Sequence, residues 1–93
     1  MAVYAPSGDV SAVARVSGQR DGESHLIKLG GAVRAARKAR GLSQESLADA
    51  AGIDRSHMGK IERGERNVTL LNIVRVAAAL NAKPSELLGA AGL

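Results

Sequence analysis

Hydrophobic residues recur at three- and four-residue intervals through most of the chain, which is the spacing of one face of an α-helix. Two short blocks of this pattern adjoin in the middle of the sequence, and their apolar positions are Leu47, Ala48, Ala51, Met58 and Ile61. Ser43 and Asp54 precede the two blocks as N-cap residues. Gly52 follows the first block, where a residue in the left-handed conformation ends a helix. The pattern predicts short helices over about 44–51 and 55–63, joined by a tight glycine turn.

Three further helices complete an all-α, five-helix prediction. The first covers about 24–39 with Ser24 as its cap, the fourth covers about 70–80 with Thr69 as its cap, and the fifth begins at Pro84. The inward-facing residues expected for the first and fourth helices are Leu26, Leu29, Val33, Ala36, Leu70, Ile73, Val76, Ala77 and Leu80. Gly30 and Gly31 lie inside the first helix, and each disfavours it by roughly 1 kcal/mol relative to alanine, so its first turns are expected to be soft.

The N-terminal quarter of the chain has a different pattern. Residues 1–24 contain Pro6, Gly8, Gly18 and Gly22 and carry no sustained helical stripe. Such a stretch cannot bury enough apolar surface to order itself. We therefore expect a flexible arm over 1–24, followed by one folded domain over 25–93.

The charge of the chain favours a polyanionic partner. The formal net charge is +4 and the pI is about 10.1. Residues 1–24 hold two basic and three acidic residues, so residues 25–93 carry a net charge of +5. A solvated basic surface is an equally good interpretation of charge alone. Tyr4 is the only aromatic residue, which argues against the stacking platforms that bind single-stranded nucleic acids and favours duplex DNA.

Several other classes of protein are disfavoured. The chain has no cysteine, so disulfides and thiolate metal sites are excluded, and a reducing cytoplasm is the expected location. No apolar run approaches the ~20 residues of a membrane helix, and no signal peptide is evident. The serines and the two histidines do not form a catalytic motif, and no glycine pair has the spacing of a phosphate loop. We expect no enzyme activity, cofactor, metal or small-molecule substrate.

The two adjoining helices and their glycine turn predict a helix-turn-helix. The outer face of the second helix is hydrogen-bonding and basic, and it comprises Arg55, Ser56, His57, Gly59 and Lys60. In such motifs the N-terminal residues of this helix reach base edges in the major groove, where arginine makes a bidentate bond with guanine. The alternative is a merely solvated helix face, and His57 in particular fits an ordinary surface residue equally well.

At these residues the chain resembles the phage repressor and Cro family of helix-turn-helix regulators. The resemblance covers about residues 26–88 and is most specific at Gly41-Leu-Ser-Gln-Glu45, Ala51-Gly-Ile53 and Ile61-Glu-Arg-Gly64. The stretch from Asp54 to Thr69 is similar, more narrowly, to the controller proteins of restriction–modification systems. The resemblance implies a five-helix repressor-type DNA-binding domain.

The resemblance also implies roles for residues outside the second helix. Gln44, at the start of the preceding helix, would lie against a phosphate, although a plain surface glutamine is as good an interpretation. Arg66 and Asn67, in the following loop, would contact the DNA backbone or groove edges, or simply form a turn. Arg37 and Glu62 would form a structural salt bridge that holds the second helix to the scaffold.

A homodimer is expected because one short helix reads only a few base pairs. The predicted interface centres on Leu87 and Leu88, with Leu93, Ala78 and Ala79. The alternative is that Leu87 and Leu88 only cover the core of their own chain. As a whole the sequence predicts a sequence-specific regulator of transcription that binds double-stranded DNA. The alternative function is a protein-interaction module, such as an antitoxin or a coactivator.

Overall fold

The predicted helices are all present in the computed structural model, which describes residues 24–93. Their limits lie within one residue of those predicted, and the described range contains no strand. The helices are α1 His25–Ala39, α2 Gln44–Ala51, α3 Arg55–Glu62, α4 Leu70–Ala79 and α5 Pro84–Ala90. The predicted flexible arm lies outside the described residues, apart from Ser24.

Three of the helix starts follow the capping rules: Asp54 caps α3 through its carboxylate, and two further caps use a hydroxyl group. The Ser43 hydroxyl accepts a hydrogen bond from the backbone N–H of Ser46 at 3.0 Å. The Thr69 hydroxyl accepts one from the backbone N–H of Asn72 at 3.1 Å. Each bond satisfies an amide that has no partner within its helix, so these caps set where α2 and α4 begin.

The predicted hydroxyl cap at Ser24 is wrong. Ser24 occupies the cap position of α1, but its φ of 60° is left-handed and its side chain makes no capping bond. A capping hydroxyl is normally aimed at the helix amides by an extended backbone, which Ser24 does not have. At α5 the side chain that makes the capping bond lies inside the helix. The Glu86 carboxylate accepts a hydrogen bond from the backbone N–H of Lys83, the N-cap residue, at 2.7 Å.

One hydrophobic core joins all five helices. The side chains at its centre are Leu47, Ala48, Met58, Ile61, Val33, Val76 and Ala77, each no more than 2% exposed. Helix α2 packs on α3 and α4, while α1 packs on α3 and α5. The prediction that Leu70 faces inward is wrong, because its side chain is 72% exposed at the first position of α4. Leu71 and Val74 are exposed beside it, so α4 has an apolar outer face.

Two glycines give the motif its shape. Gly52 adopts a φ of 69° and turns the chain between α2 and α3 in a conformation that side-chain-bearing residues rarely accept. Gly30 lies where α1 crosses the end of α3. A Cβ atom there would lie 2.5 Å from the carbonyl oxygen of Glu62 and closer still to that of Ile61. The crossing therefore requires a residue without a side chain.

Candidate nucleic-acid interface

Helix α3 buries one face in the core and leaves its first residues exposed to solvent. Met58 is 0% exposed and Ile61 is 1% exposed, so α3 cannot rotate without losing this packing. Arg55 and Ser56, the first two residues of α3, are both exposed. Asp54 caps the helix by accepting the backbone N–H of His57 at 3.3 Å. Two hydrogen-bonding side chains thus stand on a rigid, capped helix end.

The remaining predicted residues of α3 lie deeper. Lys60 and His57 are half-buried. The Nε2 atom of His57 is buried and has no hydrogen-bond partner among the described residues. Gly59 is buried, and the space where its side chain would lie is occupied by Gln44 Oε1 and Arg63 Nη1, at 3.3 and 3.1 Å from the Cβ position. Gly59, predicted to lie on the outer face of this helix, therefore packs at the junction of α2 and α3.

A buried polar network anchors the far end of α3. Arg37 Nε donates to Glu62 Oε2 at 2.7 Å, and Arg37 Nη2 donates to Glu62 Oε1 at 3.0 Å. Gln44 Nε2 donates to the same Oε1 atom at 3.0 Å. Arg37 Nη1 also donates to the carbonyl oxygen of Leu42 at 2.9 Å. One arginine therefore links α1 to α3 and to the loop before α2.

The network provides hydrogen-bond donors to the Glu62 carboxylate, which is almost completely shielded from water. The Glu62 side chain is 3% exposed and the Arg37 side chain is 11% exposed. The hydrogen bond from Arg37 to Glu62 raises the pKa of Arg37, against the opposing effect of burial. With three donors on Glu62, the charge is paired in the bidentate geometry that makes such contacts strong. The structure thus brings together the two residues that the resemblance paired.

Gln44 has a position that sequence reasoning did not anticipate. It is the first residue of α2, as expected, but its amide nitrogen is bonded to Glu62. The side chain is therefore held at the junction of α2 and α3. Arg66 and Asn67 lie exposed in the loop between α3 and α4.

A second arginine–glutamate pair lies on the surface at the end of α3, and sequence reasoning missed it. Arg63 Nε donates to Glu65 Oε2 at 3.0 Å, and Arg63 Nη2 donates to Glu65 Oε1 at 3.2 Å. Both side chains are more than half exposed. The bonds from Arg63 lower the pKa of the Glu65 carboxyl, so this carboxylate is charged at neutral pH. The signal in the sequence was an arginine and a glutamate two residues apart across the glycine that ends α3.

The structure changes the predicted dimer interface. Leu87 is only 4% exposed and belongs to the core of its own chain, so it offers no surface to a partner. Leu88 is half-buried and packs against the same core. Both were predicted to form the seam, whereas the exposed apolar side chains near the C-terminal half are Leu70, Leu71, Val74 and Leu93. The difference arises because the turn before α5 directs Leu87 inward, which spacing alone does not reveal.

Other kinds of site are not formed by the described residues. Within residues 24–93 no three or more histidine, aspartate or glutamate side chains come close enough together to hold a metal ion. No helix in the same range has the length and apolar character needed to cross a membrane.

Comparison with known proteins identifies the family. A sequence model of a helix-turn-helix family matches residues 33–87, more than half of the chain. Control protein C.SmaI of Serratia marcescens is 46% identical over 61 residues, which span 66% of this chain and 73% of that protein. The immunity repressor protein of Bacillus phage phi105 is 38% identical over 63 residues, spanning 68% of this chain and 44% of that protein.

Solved structures give the same result. The restriction-modification controller protein C.AhdI of Aeromonas hydrophila superposes with a TM-score of 0.66 at 53% identity, covering 67% of this chain and 94% of that one. The clp gene regulator ClgR of Corynebacterium glutamicum superposes with a TM-score of 0.71 at 28% identity, covering 73% of this chain and 72% of that one. The chain belongs to the helix-turn-helix family of DNA-binding transcription regulators, which are not enzymes.

Proposed function

We propose that the chain binds operator DNA sequence-specifically as a homodimer and reads the major groove with α3. The observation that carries this proposal is the exposure of Arg55 and Ser56 in the first turn of a helix that Met58 and Ile61 fix in the core. A rigid helix end holds its side chains in one register on the duplex, and arginine discriminates guanine through two hydrogen bonds. Such a regulator acts where the chromosome is, so we place it in the cytoplasm.

The remaining predicted contacts have different geometric support. Arg66 and Asn67 are exposed in the loop after α3 and are proposed to contact the DNA backbone. Lys60 is half-buried on α3 and retains a cationic group suited to a phosphate. Gln44 is proposed to orient the start of α2 toward a phosphate, since helix N-termini attract anions through free amides. His57 is proposed to add a single contact from the same face.

The proposed dimer forms through the outer face of α4. Leu70, Leu71 and Val74 are the exposed apolar residues of this helix, and Ala78 continues their stripe one turn later. Large apolar side chains clustered on a surface mark an interface. Closed two-fold symmetry is the commonest arrangement of a homo-oligomer, and it pairs this face with itself. Two α3 helices related by that axis would read two half-sites.

The regulated genes are proposed from the relatives. C.SmaI is named as a control protein, and C.AhdI as a restriction-modification controller protein. We propose that this chain is a controller of the same kind and acts on the genes of a restriction–modification system. Its operator would lie in the promoter region of those genes.

Selection from a randomised duplex pool tests sequence-specific binding. The enriched duplex and a scrambled duplex are then titrated with wild-type protein and with Arg55→Ala. We expect a loss of roughly 1–3 kcal/mol on the enriched duplex and a much smaller loss on the scrambled one. Lys83→Ala, which removes an exposed cation from α5, is the matched control and is expected to bind like wild type. Equal losses on both duplexes for Arg55→Ala would refute base readout by this residue.

The same titration examines the protein-interaction alternative, for which the apolar face of α4 is the supporting observation. A DNA-binding protein loses affinity steeply with salt, with a slope of about −0.9 for each phosphate neutralised. An antitoxin or coactivator that acts only through protein contacts would show no such slope on any duplex.

A further inference from the structure

The guanidinium of Arg63 lies beside the start of α2 rather than pointing away from the motif. Its Nη1 atom is 3.1 Å from the Cβ position of Gly59, and Gln44 Oε1 is 3.3 Å from the same point. The Arg63 guanidinium and the side chain of Gln44, the first residue of α2, therefore both pack against the side of Gly59 that bears no side chain. The Arg63 guanidinium therefore lies at the junction of α2 and α3.

Glu65 holds that guanidinium in the geometry that a phosphate would use. Its two carboxylate oxygens accept Nε at 3.0 Å and Nη2 at 3.2 Å. Arginine binds carboxylates and phosphates through the same planar pair of donors. Both partners are more than half exposed, so the pair is accessible to an incoming duplex. An exposed ion pair of this kind is weak, and replacing one oxyanion with another is therefore inexpensive.

We propose that Arg63 contacts a DNA backbone phosphate and that this phosphate replaces Glu65 on the guanidinium when the protein binds. The proposal rests on the proposed function and adds to it a residue pair that sets affinity. In the free protein Glu65 keeps Arg63 beside Gln44 and neutralises it. In the complex the two donors pass to phosphate oxygens and the Glu65 carboxylate is released to solvent. The carboxylate thus lowers the affinity of the interface for every duplex by competing with its backbone.

Salt titrations of three variants test the exchange, using the enriched and the scrambled duplexes described above. We expect Arg63→Gln to reduce the magnitude of the log–log salt slope by about 0.9 on both duplexes, because one phosphate contact is lost. We expect Arg63→Lys to keep the slope, since lysine still neutralises a phosphate. Lys83→Gln is the control for loss of one positive charge and is expected to keep the wild-type slope.

The competing role of Glu65 is tested by a double-mutant cycle. We expect Glu65→Gln to bind both duplexes up to about fivefold more tightly than wild type, as the exposed pair no longer has to be broken. In the Arg63→Gln background the same change is expected to have a much smaller effect. An equal gain in both backgrounds would mean that Glu65 only repels DNA, and would overturn the exchange. Thermal melting of each variant verifies that the fold is retained.

The outcomes for the two proposals are distinct. If the wild type prefers the enriched duplex but Arg63→Gln retains its full salt slope, the phosphate contact is wrong while sequence-specific binding stands. If the wild type shows no salt-dependent binding to either duplex, both proposals fail.

Discussion

Glu62 is the residue whose surroundings most constrain α3, the second helix of the motif. Its side chain is nearly inaccessible, yet it accepts hydrogen bonds from Arg37 and Gln44. A buried charge without hydrogen-bond partners strongly destabilises a fold, so the Glu62 carboxylate depends on both Arg37 and Gln44. Glu62 is also the last residue of α3. The position of this helix end therefore depends on Arg37 of α1 and Gln44 of α2.

Arg37→Ala is expected to lower the free energy of unfolding on the order of 3 kcal/mol, because it leaves Glu62 buried with one donor instead of three. Urea denaturation monitored by circular dichroism measures this loss. Arg34→Ala, which removes an exposed arginine from the same helix, is the control and is expected to change little. A double-mutant cycle with Glu62→Gln isolates the pairwise energy, and additive losses would show that the two residues act independently.

Helix α1 shows how two adjacent glycines take different roles within one element. Gly31 has no atom within 4 Å of its Cβ position, whereas Gly30 faces the carbonyl oxygens that end α3. The backbone entropy of glycine disfavours the helix equally at both positions. Only at Gly30 does the missing side chain allow α1 and α3 to approach, and so to bring Arg37 to Glu62.

Substitution by alanine separates these roles. Gly31→Ala is expected to stabilise the protein by about 1 kcal/mol through helix propensity alone. Gly30→Ala gains the same propensity but must push α1 away from α3, and overpacking of this kind costs typically 1–3 kcal/mol. We therefore expect the melting temperature to rise for Gly31→Ala and to fall for Gly30→Ala. Equal increases would show that the crossing relaxes without strain.

At the scale of the whole molecule, helix α4 has an apolar face that the rest of residues 24–93 does not cover. Leu70, at 72% exposure, is more accessible than any other large hydrophobic residue among those described. The face lies on the helix that follows α3 and its loop. A second copy placed there would bury it and double the DNA surface that is read.

Leu71→Glu tests the proposed dimer. Each apolar side chain buried at an interface contributes about 1.5–3 kcal/mol, and symmetry counts the residue twice, so we expect dimerisation to weaken by at least about a hundredfold. Sedimentation equilibrium measures the change. Ile27→Glu is the control, since Ile27 is a 59% exposed apolar side chain on a different helix, α1. A wild-type chain that stays monomeric at high micromolar concentration, with and without DNA, would remove the dimer.

The sequence by itself determined the local structure of this protein. Helical spacing, the hydroxyl caps at Ser43 and Thr69, and the glycine turn at Gly52 are properties of neighbouring residues, so the helix limits and the helix-turn-helix were predictable. The exposure of Arg55 and Ser56 was predicted along with these helix limits. The prediction failed for the hydroxyl cap at Ser24, because a cap also depends on the backbone conformation of the cap residue itself, which is left-handed at Ser24.

Only the tertiary structure decided which faces and which charges meet. Leu70 and Leu87 carry the same side chain, and each lies in a predicted helix. Leu70 is exposed whereas Leu87 is in the core, because burial depends on which helices pack together. Gly59 and Gly30 are likewise indistinguishable from ordinary helix glycines until the neighbouring helices are in place. The bonds from Gln44 to Glu62 and from Arg63 to Glu65 depend on how each side chain is directed once α2 and α3 are packed. The sequence therefore located the helix-turn-helix, and packing determined how its second helix is held and which apolar side chains stay exposed.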